Sequence, residues 1–425
     1  MSAFYKLIFY EKKFILSVMK ILASLVLATS PFFASQLSVD KYLSPYTGAD
    51  LFITSFEAQM EAEDSIKEFF QPEEDTWLTL GIAGTYRTAT MLGWWVPLSL
   101  AEMVVQHEVF GHGYRVREFK KFGYDVLGYS FFDKSRLEGA IATTSYQAPN
   151  LESPFLENTI AFGGTEANTV LAQRMRENSF EKGFLDGRLS ILYLFSNADL
   201  SDYIQLTAKL DDGTISEGND IQAYLKTVNQ MNPDSPVTIQ QLKKFSHFCN
   251  FDPFLWGNQL SFFSYILFGK EFPLPVFQKG PFRFVPSISP NLTPFGPELI
   301  LEQYFSIGTQ PQRTYVRFTP YNSRGSYGFG YKNLYLKSFE NTHFGVILDG
   351  WYAPKIGKLS NNEIKFTKNT PMRPGAQALL TVRQSMELFA NSKVGIDIGV
   401  KSQGYLIGTP VEQGLIARVS VELEF

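Results

Sequence analysis

The sequence predicts an α+β protein in which a mostly helical unit is followed by a small antiparallel β-barrel of about eight strands. Three observations predict this class. A length of 425 residues favours more than one structural unit. The C-terminal part alternates apolar and polar residues with the period of two that marks β-strands. The part before it shows helical spacing and proline-bounded loops instead.

The composition excludes several classes of function. Charged residues make up 19% of the chain and its formal net charge is −4, so a basic nucleic-acid binder is excluded and we expect no nucleic-acid partner. A mean hydropathy of −0.08 excludes a membrane protein built from many helices. Aromatic residues reach 15%, which requires a large buried or lipid-facing surface. The single cysteine cannot form a thiolate zinc cluster, so any metal must be bound by histidines and carboxylates.

Residues 1–35 are predicted to be an export signal peptide. Lysines precede an apolar run over residues 21–28, and small residues near Ala34 and Ser35 provide a cleavage site. An uncleaved membrane anchor is the alternative. In either case the bulk of the chain is expected to leave the cytoplasm, for the cell envelope.

The predicted helical unit covers residues 36–280. Helices are expected at Ala167–Asn178, Asp220–Met231 and Thr238–Phe248. The apolar stretch Trp77–Val105 is long enough to cross a bilayer but is interrupted by glycines and a proline. We therefore predict a buried helix pair there rather than a transmembrane hairpin.

The predicted barrel covers residues 281–425. Its last segment, Gly414–Phe425, carries apolar residues on one face up to the terminal Phe425. Similar segments occur near residues 282–288, 299–307, 314–319, 327–335, 344–352, 376–382 and 394–400. This last strand resembles the C-terminal strand of bacterial outer-membrane barrel proteins, whose terminal aromatic residue is read by the barrel-assembly machinery. The resemblance implies an outer-membrane location with membrane lipid as a partner; the alternative is a soluble β-sandwich.

The candidate chemistry lies in the stretch His107-Glu108-Val109-Phe110-Gly111-His112. Zinc peptidases use His-Glu-x-x-His because two histidines four positions apart share one helical face, with the glutamate as general base. Here the spacing is one residue longer, so the two side chains would diverge by about 140° on a regular α-helix. A π-bulge near Val109–Gly111 would bring them together again, and such bulges are frequent at functional sites.

The stretch resembles the His-Glu-x-x-Gly-His motif of the dipeptidyl peptidase III family. The resemblance implies that His107 and His112 bind Zn²⁺, that Glu108 is the catalytic base and that the substrate is a peptide or protein. The third ligand should be a carboxylate, and Glu166 stands in the first turn of a helix after a glycine-rich segment. A resemblance to gluzincin peptidases makes Glu166 that ligand. The segment around Gly164 and Asn168 also resembles site-2-type intramembrane proteases.

Each assignment has an alternative. The two histidines could cap a helix or pack in a core, and Glu166 could stabilise a helix dipole. Asn168 could orient a metal ligand or only form a turn. The sequence thus predicts an exported zinc-dependent peptidase anchored at the outer membrane. The competing hypothesis is a non-enzymatic outer-membrane barrel with a helical plug or partner-binding domain.

Overall fold

The computed structural model describes residues 35–69, 77–132, 141–207, 219–321, 325–361, 363–386 and 392–423. The predicted signal peptide, except for its last residue, and the terminal Phe425 lie outside these residues. The first strand of the described residues starts at Ser35.

Ten α-helices lie in the described residues. They are α1 (Pro45–Phe69), α2 (Trp77–Thr90), α3 (Val96–His107), α4 (Gly113–Glu118), α5 (Pro154–Ala161), α6 (Gly163–Lys182), α7 (Gly187–Leu206), α8 (Asp220–Met231), α9 (Ile239–Ser246) and α10 (Pro253–Phe268). Two π-helical turns, Met91–Trp95 and Glu108–His112, join α2, α3 and α4 into one run.

The prediction of α8 is confirmed at both ends. The helix expected at 238–248 is shorter, because a capping box places Thr238 outside it and a 3₁₀ turn follows Ser246.

The described residues contain 14 strands. They are β1 (Ser35–Asp40), β2 (Asp125–Phe131), β3 (Ala142–Gln147), β4 (Phe184–Leu185), β5 (Phe272–Pro273), β6 (Phe277–Lys279), β7 (Phe282–Thr293), β8 (Gly296–Ile307), β9 (Gln310–Phe318), β10 (Tyr327–Phe339), β11 (Thr342–Pro354), β12 (Met372–Met386), β13 (Ser392–Lys401) and β14 (Gly414–Leu423). The pairs β2–β3 and β4–β5 form two small separate sheets.

The main sheet has 10 strands in the order β1-β14-β13-β12-β11-β10-β9-β8-β7-β6, all paired antiparallel. The α+β class is therefore confirmed. Eight of the strands, β7 to β14, follow one another along the chain within residues 282–423, where the sequence predicts about eight. The first strand, β1, pairs with the last, β14, over six residues. In the described residues the end strands β1 and β6 do not pair with each other.

The polarity of the sheet is the reverse of that in a soluble protein. One face is exposed and carries mainly apolar side chains, including Val316, Phe329, Leu348, Leu380, Ile396, Val400, Leu415 and Val419. The opposite face is buried and carries charged and amide side chains, including Glu298, Glu302, Arg313, Arg317, Asp349, Gln377, Arg383, Asp397, Lys401 and Arg418. A sandwich would cover the apolar face with a second sheet, and no described residue does so.

Helix α6 packs against this buried polar face. Arg176 donates to Glu302 at 2.7 Å, and Gln173 donates to the other oxygen of the same carboxylate at 2.7 Å. On the next turn Glu177 pairs with Arg313 at 3.0 Å and with Lys332 at 2.7 Å. Buried charges are tolerated only when they are paired. Residues from both sides of the predicted boundary at 281 thus share one ionic interior.

The apolar stretch Trp77–Val105 differs from the expected buried helix pair. It forms one continuous helical run: Gly81 and Gly84 lie within α2, Gly93 lies in the π turn Met91–Trp95, and Pro97 follows directly in the first turn of α3. The run Gly81–Glu118 is long and apolar enough to cross a membrane, yet only 28% of its most apolar window is buried. The prediction of burial is wrong here, because the apolar face of its first half points outward.

Candidate metal centre

The π turn Glu108–His112 lies where the sequence predicts a bulge. It continues from α3 into α4 with helical backbone angles on both sides, at Glu108 (φ −79°, ψ −52°) and Gly113 (φ −59°, ψ −37°). The wider turn absorbs the additional residue between the two histidines. As a result the rings of His107 and His112 lie on the same side of the helix, with centroids 4.9 Å apart.

Two glycines allow this helix to lie against the start of α6. A Cβ atom on Gly111 would lie 2.5 Å from the carbonyl oxygen of Gly163, and one on Gly164 would lie 2.2 Å from Nε2 of His107. No side chain fits at either position without displacing backbone or the imidazole. The glycine-rich segment before Glu166 therefore allows the start of α6 to pack closely against His107 and Gly111.

The third member of the histidine cluster is Asp220, the first residue of α8. Its Oδ2 atom lies 3.2 Å from Nε2 of His107 and 3.0 Å from Nε2 of His112. Asn219 caps α8 by accepting from the backbone N–H of Gln222, which fixes the start of the helix beside the histidines. Burial would raise the pKa of Asp220, but the charge of His112 and the hydrogen bonds from both histidines outweigh it and lower that pKa.

Both histidines are oriented through their other ring nitrogen. Nδ1 of His107 lies 3.1 Å from Oδ2 of Asp199, and Nδ1 of His112 lies 2.7 Å from the carbonyl oxygen of Ile160. Asn168 donates to the same Asp199 oxygen at 2.9 Å, which agrees with an orienting role for Asn168. Each Nε2 atom lies within hydrogen-bonding distance of Asp220. The acceptors at Nδ1 would keep a proton on that nitrogen when a metal ion replaced the Nε2 protons, so that both Nε2 atoms and Asp220 could bind the ion.

Glu108 lies in the wall of an open cavity next to this cluster. The cavity has a volume of about 620 Å³, and His112, Asp220 and Tyr203 also line it. The hydroxyl of Thr144 on β3 donates to Oε2 of Glu108 at 2.5 Å and holds the carboxylate in place. A carboxylate that is fixed beside a possible metal position and open to substrate has the properties of a general base.

The structure does not bring Glu166 to the histidines. Arg115 donates to Oε2 of Glu166 at 2.9 Å, and the backbone N–H of Gly408 donates to Oε1 at 2.8 Å. Its side chain is fully buried in this ion pair. Residues two apart on a helix point about 200° apart, so Asn168 faces the histidine cluster while Glu166 faces away from it. The expected approach of Glu166 to the histidines is therefore corrected: the carboxylate that lies beside them is Asp220.

The donor set fits a metal ion of the zinc type. Two ligands about 2.1 Å from a tetrahedral zinc ion lie about 3.4 Å apart, close to the 3.0 and 3.2 Å between Asp220 and the two imidazoles. Two neutral imidazoles and one carboxylate form a set that zinc accepts. Iron and other divalent metals of the first transition row accept the same set, so the identity of the metal requires measurement.

The sequence contained one weak signal for Asp220. It opens a predicted helix, but a first-turn aspartate is common for reasons of helix stability alone. Its separation of 108 residues from His112 is bridged only by the fold. No protein-family model, curated protein or solved structure matches this chain.

Proposed function

We propose that this protein is an exported zinc-dependent peptidase held at the outer membrane. In this proposal His107, His112 and Asp220 bind the zinc ion and Glu108 is the general base. The observation that carries it is the convergence of two imidazole Nε2 atoms on one carboxylate oxygen at the wall of an open cavity. Three protein ligands with a side open to substrate are the arrangement of catalytic zinc sites.

The chain's own residues have distinct roles in peptide hydrolysis. A bound zinc ion supplies a Lewis acid and a water molecule whose pKa is lowered to about 7. Glu108 accepts the proton of the attacking water on its carboxylate and passes it to the leaving amine. Thr144 fixes that carboxylate through its hydroxyl, which limits the reorganisation needed during proton transfer. Asp199 and the carbonyl of Ile160 retain the Nδ1 protons and so keep both Nε2 atoms available as ligands.

The exposed apolar face and buried polar face of the main sheet support the membrane location in the proposal. Exposed apolar and buried charged side chains alternate along its strands, as in transmembrane β-barrels. The strands β7 to β14 contain 9 to 15 residues, and about 9 to 11 residues suffice for a tilted transmembrane strand. We infer that the sheet curls around α6 as a barrel-like wall with lipid on its outer face.

The competing function is a non-enzymatic outer-membrane protein whose helices plug the sheet. The ion pairs between α6 and the sheet favour it, because a plug requires a polar helix among polar strands. The two functions differ in what they require of the histidine cluster. A plug needs no metal and no water activation there.

Zinc content separates the two functions. Purified wild-type protein should contain stoichiometric zinc by elemental analysis, and His112→Ala should lose it. His247→Ala is the matched control, because His247 is an exposed histidine elsewhere in the chain and its loss should leave zinc unchanged. Wild-type protein without zinc, or equal zinc content in wild type and His112→Ala, would favour the plug.

A further inference from the structure

Helix α10 exposes a continuous apolar stripe. Trp256, Leu260, Phe263 and Leu267 follow one another at intervals of four, three and four residues, and each side chain is more than half exposed. The segment Pro253–Phe268 contains no charged residue. An amphipathic helix of a soluble protein would turn such a stripe toward the core and place charges outside.

The first half of the run α2–α3 exposes a second apolar face. Ile82, Tyr86, Leu92 and Trp94 are exposed on α2 and the π turn that follows it. Contiguous apolar surface of this size marks an interaction site rather than ordinary surface. Neither helix face is covered by another described part of the chain.

These two faces lie side by side and next to the sheet. Arg87 of α2 donates through Nε to the carbonyl oxygen of Ile266 at 3.1 Å and through Nη2 to that of Leu267 at 3.0 Å, so the end of α10 is fixed to α2. Helix α10 also packs against β7, near one end of the main sheet. The exposed apolar surface of the helices is thus adjacent to that of the strands.

Four polar side chains on or beside these faces donate hydrogen bonds within the protein. The hydroxyls of Thr85 and Thr88 donate to the carbonyl oxygens of Gly81 and Gly84, four residues back on the same helix. The indole N–H of Trp94 donates to Gln59, and that of Trp256 donates to the carbonyl oxygen of Asn250. In water such groups could bond to solvent, but in hydrocarbon each needs an internal partner. The pattern therefore favours lipid over water.

The size of the stripe also fits a membrane. The 16 residues of α10 give a length of about 24 Å at 1.5 Å per residue. The apolar band of outer-membrane barrels is about 25 Å high. Trp256 near the start of α10 agrees with the preference of tryptophan for the membrane interface.

We propose that α2 and α10 contact the acyl chains of the bilayer directly, so that strands and helices together form the lipid-facing wall of this protein. The inference rests on the proposed membrane location and adds that α10, which packs against β7, and α2, which is bonded to α10, extend the lipid-facing surface of the sheet. It commits to acyl chains as the occupant of both apolar faces. A second copy of the chain or another protein on these faces is an outcome that the test distinguishes.

Spin labelling in reconstituted vesicles tests the inference on the full chain. Because the chain has one cysteine, a Cys249→Ala background permits a single nitroxide at Leu92→Cys or Leu260→Cys. Val400→Cys and Leu415→Cys report on the sheet, and Lys244→Cys reports on a charged, exposed position of α9. The vesicles contain phosphatidylethanolamine and phosphatidylglycerol. Collision rates are measured with oxygen, which concentrates in hydrocarbon, and with a water-soluble nickel chelate.

At Leu92 and Leu260 we expect oxygen collisions several-fold more frequent than nickel collisions, as at the two sheet positions and opposite to Lys244. A preference for nickel at the helix positions alone would overturn the inference and leave the membrane location intact. Protection from both reagents there would also overturn it, because a protein would then cover the helices. A preference for nickel at the sheet positions as well would refute the proposed location itself.

Tryptophan fluorescence gives a second test with little change to the fold. Vesicles with brominated acyl chains should quench the wild-type protein, and Trp94→Phe/Trp256→Phe should lose most of the bromolipid-quenchable fraction. Trp351→Phe is the control, because Trp351 is buried within the sheet and its loss should leave that fraction unchanged. Equal bromolipid quenching of the wild type and the double variant would contradict the inference.

Discussion

Two carboxylates, the partly exposed Asp220 and the buried Glu166, lie on either side of the helix that follows the glycine-rich segment, and their surroundings differ. Asp220 faces two imidazoles and borders an open cavity. Glu166 faces the Arg115 guanidinium, the Tyr405 hydroxyl and a backbone N–H, with no exposed surface. The first carboxylate shares its oxygen with two potential metal ligands, whereas the second is saturated by donors.

This difference shows that the partners of a buried acid decide its role. Two bonds from Arg115, one from the Tyr405 hydroxyl and one from the Gly408 N–H occupy the acceptor sites of Glu166 and leave none for a metal. An imidazole can release its Nε2 proton and keep the one on Nδ1, so a carboxylate between two imidazoles can share a cation with their Nε2 lone pairs. In the proposed function Asp220 is therefore a metal ligand, whereas Glu166 stabilises the fold.

The largest expected effect concerns Glu108, the third carboxylate of this region. Glu108→Gln removes the proton acceptor but keeps the shape and the bond from Thr144. We expect the rate of peptide hydrolysis to fall by about 10²- to 10⁴-fold while zinc content stays unchanged. Assays of kcat and zinc on the same preparations check this. Equal kcat in Glu108→Gln and wild type would remove the base assignment.

Glu166→Gln sharpens the comparison from the structural side. It removes one of the two buried carboxylates that pair with Arg115 and leaves the guanidinium with Glu118 alone, so the free energy of unfolding should drop by about 1.5–3 kcal/mol. Asp125→Asn is the control, since the exposed pair Lys120–Asp125 is worth less than about 1 kcal/mol. Denaturant titrations of folded protein measure both. A change for Glu166→Gln as small as that for Asp125→Asn would show that this ion pair is not structural.

Gly164→Ala tests the close contact between α6 and His107. The new Cβ would lie 2.2 Å from Nε2 of His107, so the ring or the helix must move, at a cost of about 1–3 kcal/mol. We expect reduced zinc affinity together with this loss of stability. Gly81→Ala is the matched control, because no heavy atom lies within 4 Å of its added Cβ. Unchanged zinc affinity in Gly164→Ala would argue that His107 is not a ligand.

The smallest expected effect concerns Asp199. Asp199→Asn weakens the acceptor for Nδ1 of His107 without touching the cluster itself. Loss of such an orienting partner lowers metal affinity by about 10- to 100-fold. Competition with a fluorescent zinc chelator measures the change. An affinity identical to that of the wild type would place Asp199 outside the metal site.

Local features of this fold could be predicted from the sequence. The five-residue spacing of His107 and His112 required a distorted turn, and the π turn lies there. Helix α8 was bounded correctly, because the apolar period and the turn residues around it depend only on neighbours along the chain. The strands β7 to β14 could be predicted because their alternation of apolar and polar residues is also a local pattern.

Contacts between residues far apart in the sequence could not be predicted from it. The pairing of β1 with β14 joins residues at opposite ends of the described chain, and the two partners share no local signal. Asp220 reaches the histidines only through the packing of α8. The exposure of α2 was missed because composition alone does not distinguish an apolar face turned toward a core from one turned toward lipid. In each case the deciding contact lies far away in sequence.

Zinc stoichiometry in Asp220→Asn and Glu166→Gln tests the central claim most directly. Both substitutions replace a carboxylate by its amide, and both proteins are measured folded and under identical conditions. We predict that Asp220→Asn loses bound zinc while Glu166→Gln retains the wild-type amount. Zinc retained in Asp220→Asn and lost in folded Glu166→Gln would contradict the account.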